Sequence, residues 1–181
     1  MAYATPLTEV RQSSHNSEES LYFINVPDDA SAGLTGDKSY HMALLLADNN
    51  AMESGINAED QADVTAKLAQ HVLTGTQASF SHSGLYLSKD PVCAFEKYIY
   101  DHQVLTAKDV TVDIIRLDTW DVTSDEPAKF KGIKFSATCE VTSFGGDAQG
   151  KLNIEATYTA VSENEAITGT FDKVTGVATI G

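Results

Sequence analysis

The chain has 181 residues, of which 42% are hydrophobic, and it carries a formal net charge of −14 at pH 7. This length suits one domain with its own core, and the hydrophobic content excludes a disordered chain. The negative charge argues against a nucleic-acid-binding protein, which needs a basic face, and against docking on an anionic membrane. It is typical of a soluble protein, or of a surface that must not adhere to a polyanion.

The N-terminal region is polar and shows no apolar core of a secretory signal, and no stretch has the apolar length of a membrane span. We therefore expect a protein made in the cytosol. In that compartment Cys93 and Cys139, which sit in apolar patterns, are expected to be buried reduced thiols rather than a disulfide. Residues 1–19 predict an extended N-terminal arm that a partner would order.

The first third of the chain gives weak structural signals. Residues 21–27, "LYFINVP", predict a strand that ends at Pro27, and residues 40–50 open with a second strand or a short buried segment. Residues 48–66 predict a long loop, and Glu59–Gln70 offers the alternative of a short helix at its end. "VLTGTQASFSHSGLYLS" (72–88) then predicts either a strand pair or one long bent strand.

A helix is predicted next, over "DPVCAFEKYIYDHQ". Asp90 is a good N-cap, Pro91 suits the first helical position, and the apolar residues that recur at helical spacing are Val92, Phe95 and Ile99. Residues 109–122 predict a strand whose apolar phase shifts midway. The shift indicates either a bulge or burial of both faces.

Two long alternating runs form the clearest signal in the chain. They flank the turn "FGGDAQG", and in each run apolar and polar residues alternate strictly, with Ile133–Val141 and Leu152–Ala160 as the inward series. Such alternation predicts a hairpin with one buried and one polar face. A last strand with a turn at "DKVTG" closes the chain. The fold class is therefore mainly β: a sandwich or barrel of two packed antiparallel sheets with one flanking helix, as a single domain over 1–181.

No constellation of catalytic or metal-binding residues is visible. The five histidines occur outside any HExxH pattern, and the sequence has no CxxC motif. Ser81 and Ser83 flank His82, but strand alternation places them on the face opposite His82, so they predict no nucleophile–base pair. The turn "FGGDAQG" lacks the lysine of a phosphate-binding loop. We expect no enzyme activity, no metal and no cofactor.

Long amphipathic strands raise the question of what covers the sheet edges. An open edge can be covered by another copy of the chain, which favours a self-assembling protein, or sealed within a monomeric sandwich. The alternative function is therefore a monomeric β-sandwich module that binds carbohydrate or a receptor. Such a module would present exposed aromatic residues, for which Trp120 and Tyr86 are the candidates.

The order of elements resembles a known family. The stretch "SFSHSGLYLSKDPVCAFEKYIYDHQ", the strand "VTVDIIRLDTW" and the hairpin "KFKGIKFSATCEVTSFGGDAQGKLNIEATYTA" give strand, capped helix, strand and two long hairpin strands. This order resembles the tail tube (major tail) proteins of long-tailed bacteriophages, and the ending "GTFDKVTGVATI" is similar to their "TGTF…TG" terminus. The resemblance covers roughly residues 70–181, while residues 1–69 match only as arm, strand and long loop.

The resemblance implies a structural virion protein of the phage tail, assembled in the host cytoplasm. Six copies would form a ring, and rings would stack into a hollow tube that holds the tape-measure protein and later conducts DNA. It implies neither a cofactor nor a membrane. Residues expected to face the lumen or the next subunit are Thr138, Glu140, Thr142, Glu155, Thr157 and Thr159. The arm 1–19 and the inter-subunit loop 48–66 are expected to make ring-to-ring contacts, the loop through Asn50, Met52, Ile56, Glu59 and Asp60.

Overall fold

A computed structural model describes residues 20–30, 33–43, 52–61, 70–104, 106–146 and 150–181, with the side chains of 52–61 and 70–76 left out. Within these ranges the chain forms strands and two helices. In order they are β1 (Ser20–Pro27), β2 (Lys38–Met42), β3 (Met52–Gln61), β4 (Gln70–Leu85), α1 (Pro91–His102), α2 (Ala107–Val110), β5 (Thr111–Val122), β6 (Phe130–Gly146), β7 (Leu152–Ala160), β8 (Glu165–Asp172) and β9 (Val177–Ile180).

All described strand pairs are antiparallel, in the order β3-β4-β7-β6-β5-β1-β2-β9-β8. β8 also pairs with β6, through Phe130–Lys134, so β6, β5, β1, β2, β9 and β8 close a barrel. The second half of β6 continues past the barrel and pairs with β7. We call β7, β4, β3 and this half of β6 the wing. The predicted mainly-β class is confirmed.

Two hydrophobic clusters fill the fold. One lies inside the barrel and draws apolar side chains from all six barrel strands, with Phe23, Ile115 and Leu117 fully buried. The other lies between α1 and the sheet and includes Val112, Ile114 and apolar residues of β1, β4, β6 and β7. Successive residues of β5 thus enter opposite clusters. The phase shift predicted in this strand reflects burial of both faces, since its register with β6 runs unbroken from Thr111 to Asp118.

Helix α1 begins and packs as the sequence predicts. The Asp90 side chain accepts hydrogen bonds from the backbone N–H groups of Val92 and Cys93, at 2.8 and 3.0 Å. Val92, Phe95 and Ile99 are buried against the sheet. Burying each of these side chains contributes roughly 1.5–3 kcal/mol, so the apolar face fixes the helix on the sheet.

Replacing Asp90 by alanine should lower the free energy of unfolding by about 1 kcal/mol, because two N–H groups at the helix start lose their acceptor. Urea denaturation followed by circular dichroism measures the change. The neighbouring Lys89→Ala variant is the control, since Lys89 is exposed. Equal stability of the two variants would contradict the capping role.

The segment predicted as a loop contains a strand. Met52–Gln61, expected as a loop or, from Glu59 on, alternatively as a helix, forms β3 and pairs with β4 along its whole length. β4 itself is one long strand of 16 residues rather than a strand pair. The pairing decides the conformation of β3, because its own small and acidic residues carry no alternating signal. The rest of loop 48–66 and the arm 1–19 lie outside the described residues.

Candidate assembly surface

The wing has one polar face, on the side opposite α1. Residues whose side chains pack toward α1, such as Phe80, Tyr158 and Cys139, are buried. The residues between them point to the other side and form three rows across neighbouring strands, which we call the hydroxyl face. The rows, read from the strand register, are Ser79–Thr159–Thr138–Thr111, Ser81–Thr157–Glu140 and Ser83–Glu155–Ser143. Each of these side chains is exposed or half-buried.

Five of the six predicted lumen-facing residues meet on this face. Thr138, Glu140, Glu155, Thr157 and Thr159 occupy adjacent register positions on β6 and β7. They come together because the two strands alternate in phase across an antiparallel pair.

The sixth, Thr142, does not continue the alternation. It is the extra residue of a β-bulge, since Val141 pairs with Ala156 and Ser143 with Glu155. Its hydroxyl donates to the backbone carbonyl of Glu155 at 3.2 Å, and Thr142 is exposed. Beyond the bulge the phase of β6 reverses. Ser143 therefore takes the place on the hydroxyl face that the sequence pattern gives to Thr142.

The hydroxyl face carries negative charge. Glu140 and Glu155 are exposed on it, and the nearest cation on the same face of β6 is Lys134, whose Nζ lies 2.9 Å from Asp113. Burial acts to raise the pKa of Asp113, but hydrogen bonds from Lys134 and Ser136 outweigh it and hold this pKa below 3.8. The same contact with Asp113 raises the pKa of Lys134 above 10.5. This lysine is therefore neutralised within the fold.

The Asp113–Lys134 contact should make part of the stability pH-dependent. Because the pKa of Asp113 is lower in the folded chain, its stabilisation is present above pH 3.8 and is lost as the pH falls through the folded value. The stability lost in Asp113→Asn should be under about 1 kcal/mol at pH 7, since both side chains are partly exposed, and should vanish in strong acid. Urea titrations of the wild type and the variant across pH 2–7 measure it; a constant difference would contradict this assignment.

Strand β3 is the open edge of the sheet. It stands at one end of the strand order and pairs only with β4 among the described strands, whereas β8 at the other end closes onto β6. Its ten residues therefore present a row of backbone N–H and C=O groups without a strand partner in the described part of the chain. Barrel closure leaves this edge as the place where a further strand can add.

Four of the five predicted ring-contact residues belong to this edge strand. Met52, Ile56, Glu59 and Asp60 are positions of β3, while Asn50 lies outside the described residues. The open edge itself was missed by sequence reasoning, which expected a loop here. The sequence signal for it is the length of β4. This strand extends past the part that pairs with β7, so a further strand can pair with the remainder.

The two candidate aromatic residues of a carbohydrate-binding module lie at opposite ends of β6. Trp120 is exposed near the Phe130 end of that strand, and Tyr86 packs edge-on against Phe144 with ring centroids 5.2 Å apart. Fourteen residues of strand separate Phe130 from Phe144, a length of roughly 45 Å. Trp120 and Tyr86 therefore do not form one sugar-binding platform.

A search of protein-family models and a search of curated proteins each give no match. Among solved structures, the chain is similar to the SPP1 tail tube, with a TM-score of 0.51 and 14% identity over 86% of this chain and 79% of that one. This chain has the fold of a phage tail tube protein.

Two further solved structures match over 84% of this chain and 98% of theirs. They are the virion of a native gene transfer agent particle (TM-score 0.45, 15% identity) and the tail of an empty gene transfer agent particle (TM-score 0.42, 14% identity). At these identities the likeness concerns the fold alone. Within the residues described, none of the helices has the length and apolar character needed to span a membrane.

Proposed function

We propose that this chain is the tail tube subunit of a phage-like virion, a structural protein without enzyme activity. In this proposal six copies form a ring, and rings stack into a hollow tube that holds the tape-measure protein and later conducts DNA. Assembly takes place in the host cytoplasm and the product lies in the virion tail. The observation that carries the proposal is the open edge of β3, set in a fold that resembles the SPP1 tail tube.

The first step of assembly is addition of a neighbouring copy at β3. An edge strand of ten residues is long for an exposed edge, and soluble proteins usually cover such edges. Around a closed ring each copy can pair its β3 edge with a segment of one neighbour and lend a segment of its own to the β3 edge of the other neighbour, which satisfies all copies equally. The positions Met52, Ile56, Glu59 and Asp60 then lie at the contact between copies, and we assign Asn50 to the same contact.

The second step concerns the lumen. The hydroxyl face lies opposite α1, so if α1 faces outward the hydroxyl face lines the channel. Its Ser and Thr hydroxyls hold water, and Glu140 and Glu155 add negative charge. DNA carries about one negative charge per 1.7 Å of helix axis, so an acidic wall repels it and offers no tight binding site during passage.

The third step concerns the stacking of rings. We assign the contacts between rings to residues 1–19 and to the parts of loop 48–66 outside β3. These segments are polar, and they hold five of the 26 acidic residues of the chain.

Negative-stain electron microscopy of the purified full chain, with light scattering across a concentration series, tests the proposal. We expect rings or tubes with a central channel, and a molar mass that rises with concentration in multiples of the mass of one ring. A strict monomer at millimolar concentration would contradict it. A monomer that binds glycan arrays instead would favour the carbohydrate-binding alternative.

A further inference from the structure

A polar cluster lies buried between α1 and the wing. His82 Nδ1 lies 2.7 Å from Glu96 Oε1, and the Tyr158 hydroxyl donates to the same oxygen at 2.7 Å. Glu96 is completely buried and His82 is 2% exposed. Among the described residues, the second carboxylate oxygen of Glu96, Oε2, has no hydrogen-bond partner. An unpaired buried carboxylate oxygen is costly, so it indicates that a ligand belongs there.

Cys93 completes a set of three donors. It lies one helical turn before Glu96 on α1, and the donor atoms of His82, Cys93 and Glu96 all lie within 4.8 Å of one another. The three side chains are fully or almost fully buried. The backbone N–H of Cys93 is held by the Asp90 cap at 3.0 Å, so the start of the helix fixes where this thiol stands.

We propose that His82, Cys93 and Glu96 bind one divalent transition metal ion inside the core of the subunit, and that this ion is zinc. Sulfur, imidazole nitrogen and carboxylate oxygen together are a donor set that zinc prefers. A thiolate and a carboxylate balance the two positive charges of the ion, and the imidazole binds neutral. The site is therefore neutral overall, which a dry core requires.

The surrounding groups fit this assignment. Tyr158 keeps its hydrogen bond to Glu96 Oε1 and orients the carboxylate, while Oε2, which no described residue contacts by a hydrogen bond, binds the ion. The Cys93 thiol is 2% exposed and lies within 4.8 Å of the donor atoms of His82 and Glu96, so solvent does not compete for it. Metal binding breaks the S–H bond, forms a metal–sulfur bond and releases one proton to solvent.

The ion would join α1 to β4, since Cys93 and Glu96 belong to the helix and His82 to the strand. It would thus stabilise the packing of the helix on the wing without taking part in contacts between copies. The proposal does not depend on tube assembly. The sequence predicts no metal here, because the three ligands come from two elements and their spacing matches no known metal-binding motif.

Cobalt substitution tests the site directly. The full chain is unfolded in urea with reductant and refolded with Zn²⁺ or Co²⁺, because the closed core would otherwise slow access. We expect one ion per chain after dialysis, a thiolate-to-cobalt charge-transfer absorption band, and a melting temperature that falls on refolding with chelator. Cys93→Ser should lose the band. Cys139→Ser should keep it, since Cys139 is an equally buried thiol outside the set.

Two results would overturn the proposal. One is a folded wild-type chain that retains less than stoichiometric metal and shows no charge-transfer band. The other is a Cys93→Ser variant that keeps the band, or a Cys139→Ser variant that alone loses it. The wild-type measurement decides by itself if Cys93→Ser does not fold, as judged by circular dichroism.

Discussion

A single proline on the open edge of β3 should weaken assembly at least about tenfold while leaving the monomer folded. Ser54 and Gly55 are consecutive positions of β3, opposite Ala78 and Gln77 of β4. In an antiparallel pair, one of two successive residues directs its N–H to the partner strand and the other directs it away. One proline variant therefore removes a bond to β4, and the other removes only a bond that a neighbouring copy could make.

The outward variant should melt like the wild type and need a protein concentration at least about tenfold higher to form tubes, because every contact around the ring loses a backbone hydrogen bond of about 1 kcal/mol or more. The inward variant should lose stability as well. Circular dichroism and sedimentation measure the two properties separately.

The alanine variants Ser54→Ala and Gly55→Ala are matched controls, since they keep the backbone N–H at the same positions. Both should fold and assemble. If both proline variants formed tubes at wild-type concentration, the open edge of β3 would play no part in assembly.

Gly132→Ala should destabilise the barrel by about 3 kcal/mol or more. Gly132 lies on β6, opposite Leu117 of β5 and Ile167 of β8. A Cβ atom at this position would stand 1.9 Å from the carbonyl oxygen of Arg116 and 2.9 Å from its carbonyl carbon. Both are rigid backbone atoms, so β5 and β6 must separate where the barrel closes, and forced overpacking of this kind costs roughly 1–3 kcal/mol, occasionally more.

Gly145→Ala is the matched control for this change. Gly145 lies on the same strand, and an added Cβ would meet no atom of the described residues within 4 Å. We expect it to be neutral or stabilising by less than about 1 kcal/mol. Guanidinium denaturation of both variants gives the comparison. Equal stability of the two variants would mean that β5 and β6 can move apart at Gly132 at little cost, which would contradict the prediction.

Local signals explain what the sequence predicted. The α1 start depends on Asp90 and Pro91, which act within one turn, and the hairpin of β6 and β7 depends on alternation within each run. The apolar pattern of β5 allowed either a bulge or burial of both faces. The packing of its residues into two clusters shows that both faces are buried. In each case the residues that determine the element are neighbours in sequence.

Long-range pairing explains what the sequence did not predict. β3 is a strand because β4 pairs with it, although its own residues predict a loop, and the barrel closes because Phe130–Lys134 of β6 also pairs with β8. The bulge at Thr142 shifts the residues of the hydroxyl face by one position, which strict alternation cannot foresee. The cluster of His82 and Glu96 likewise forms only when α1 packs on the wing.

Cryo-electron microscopy of the assembled chain tests the central claim most directly. We predict that the map shows β3 of each copy hydrogen-bonded along its open edge to a strand of the next copy, with the hydroxyl face toward the channel. A map in which copies associate while the β3 edge faces solvent would contradict the account.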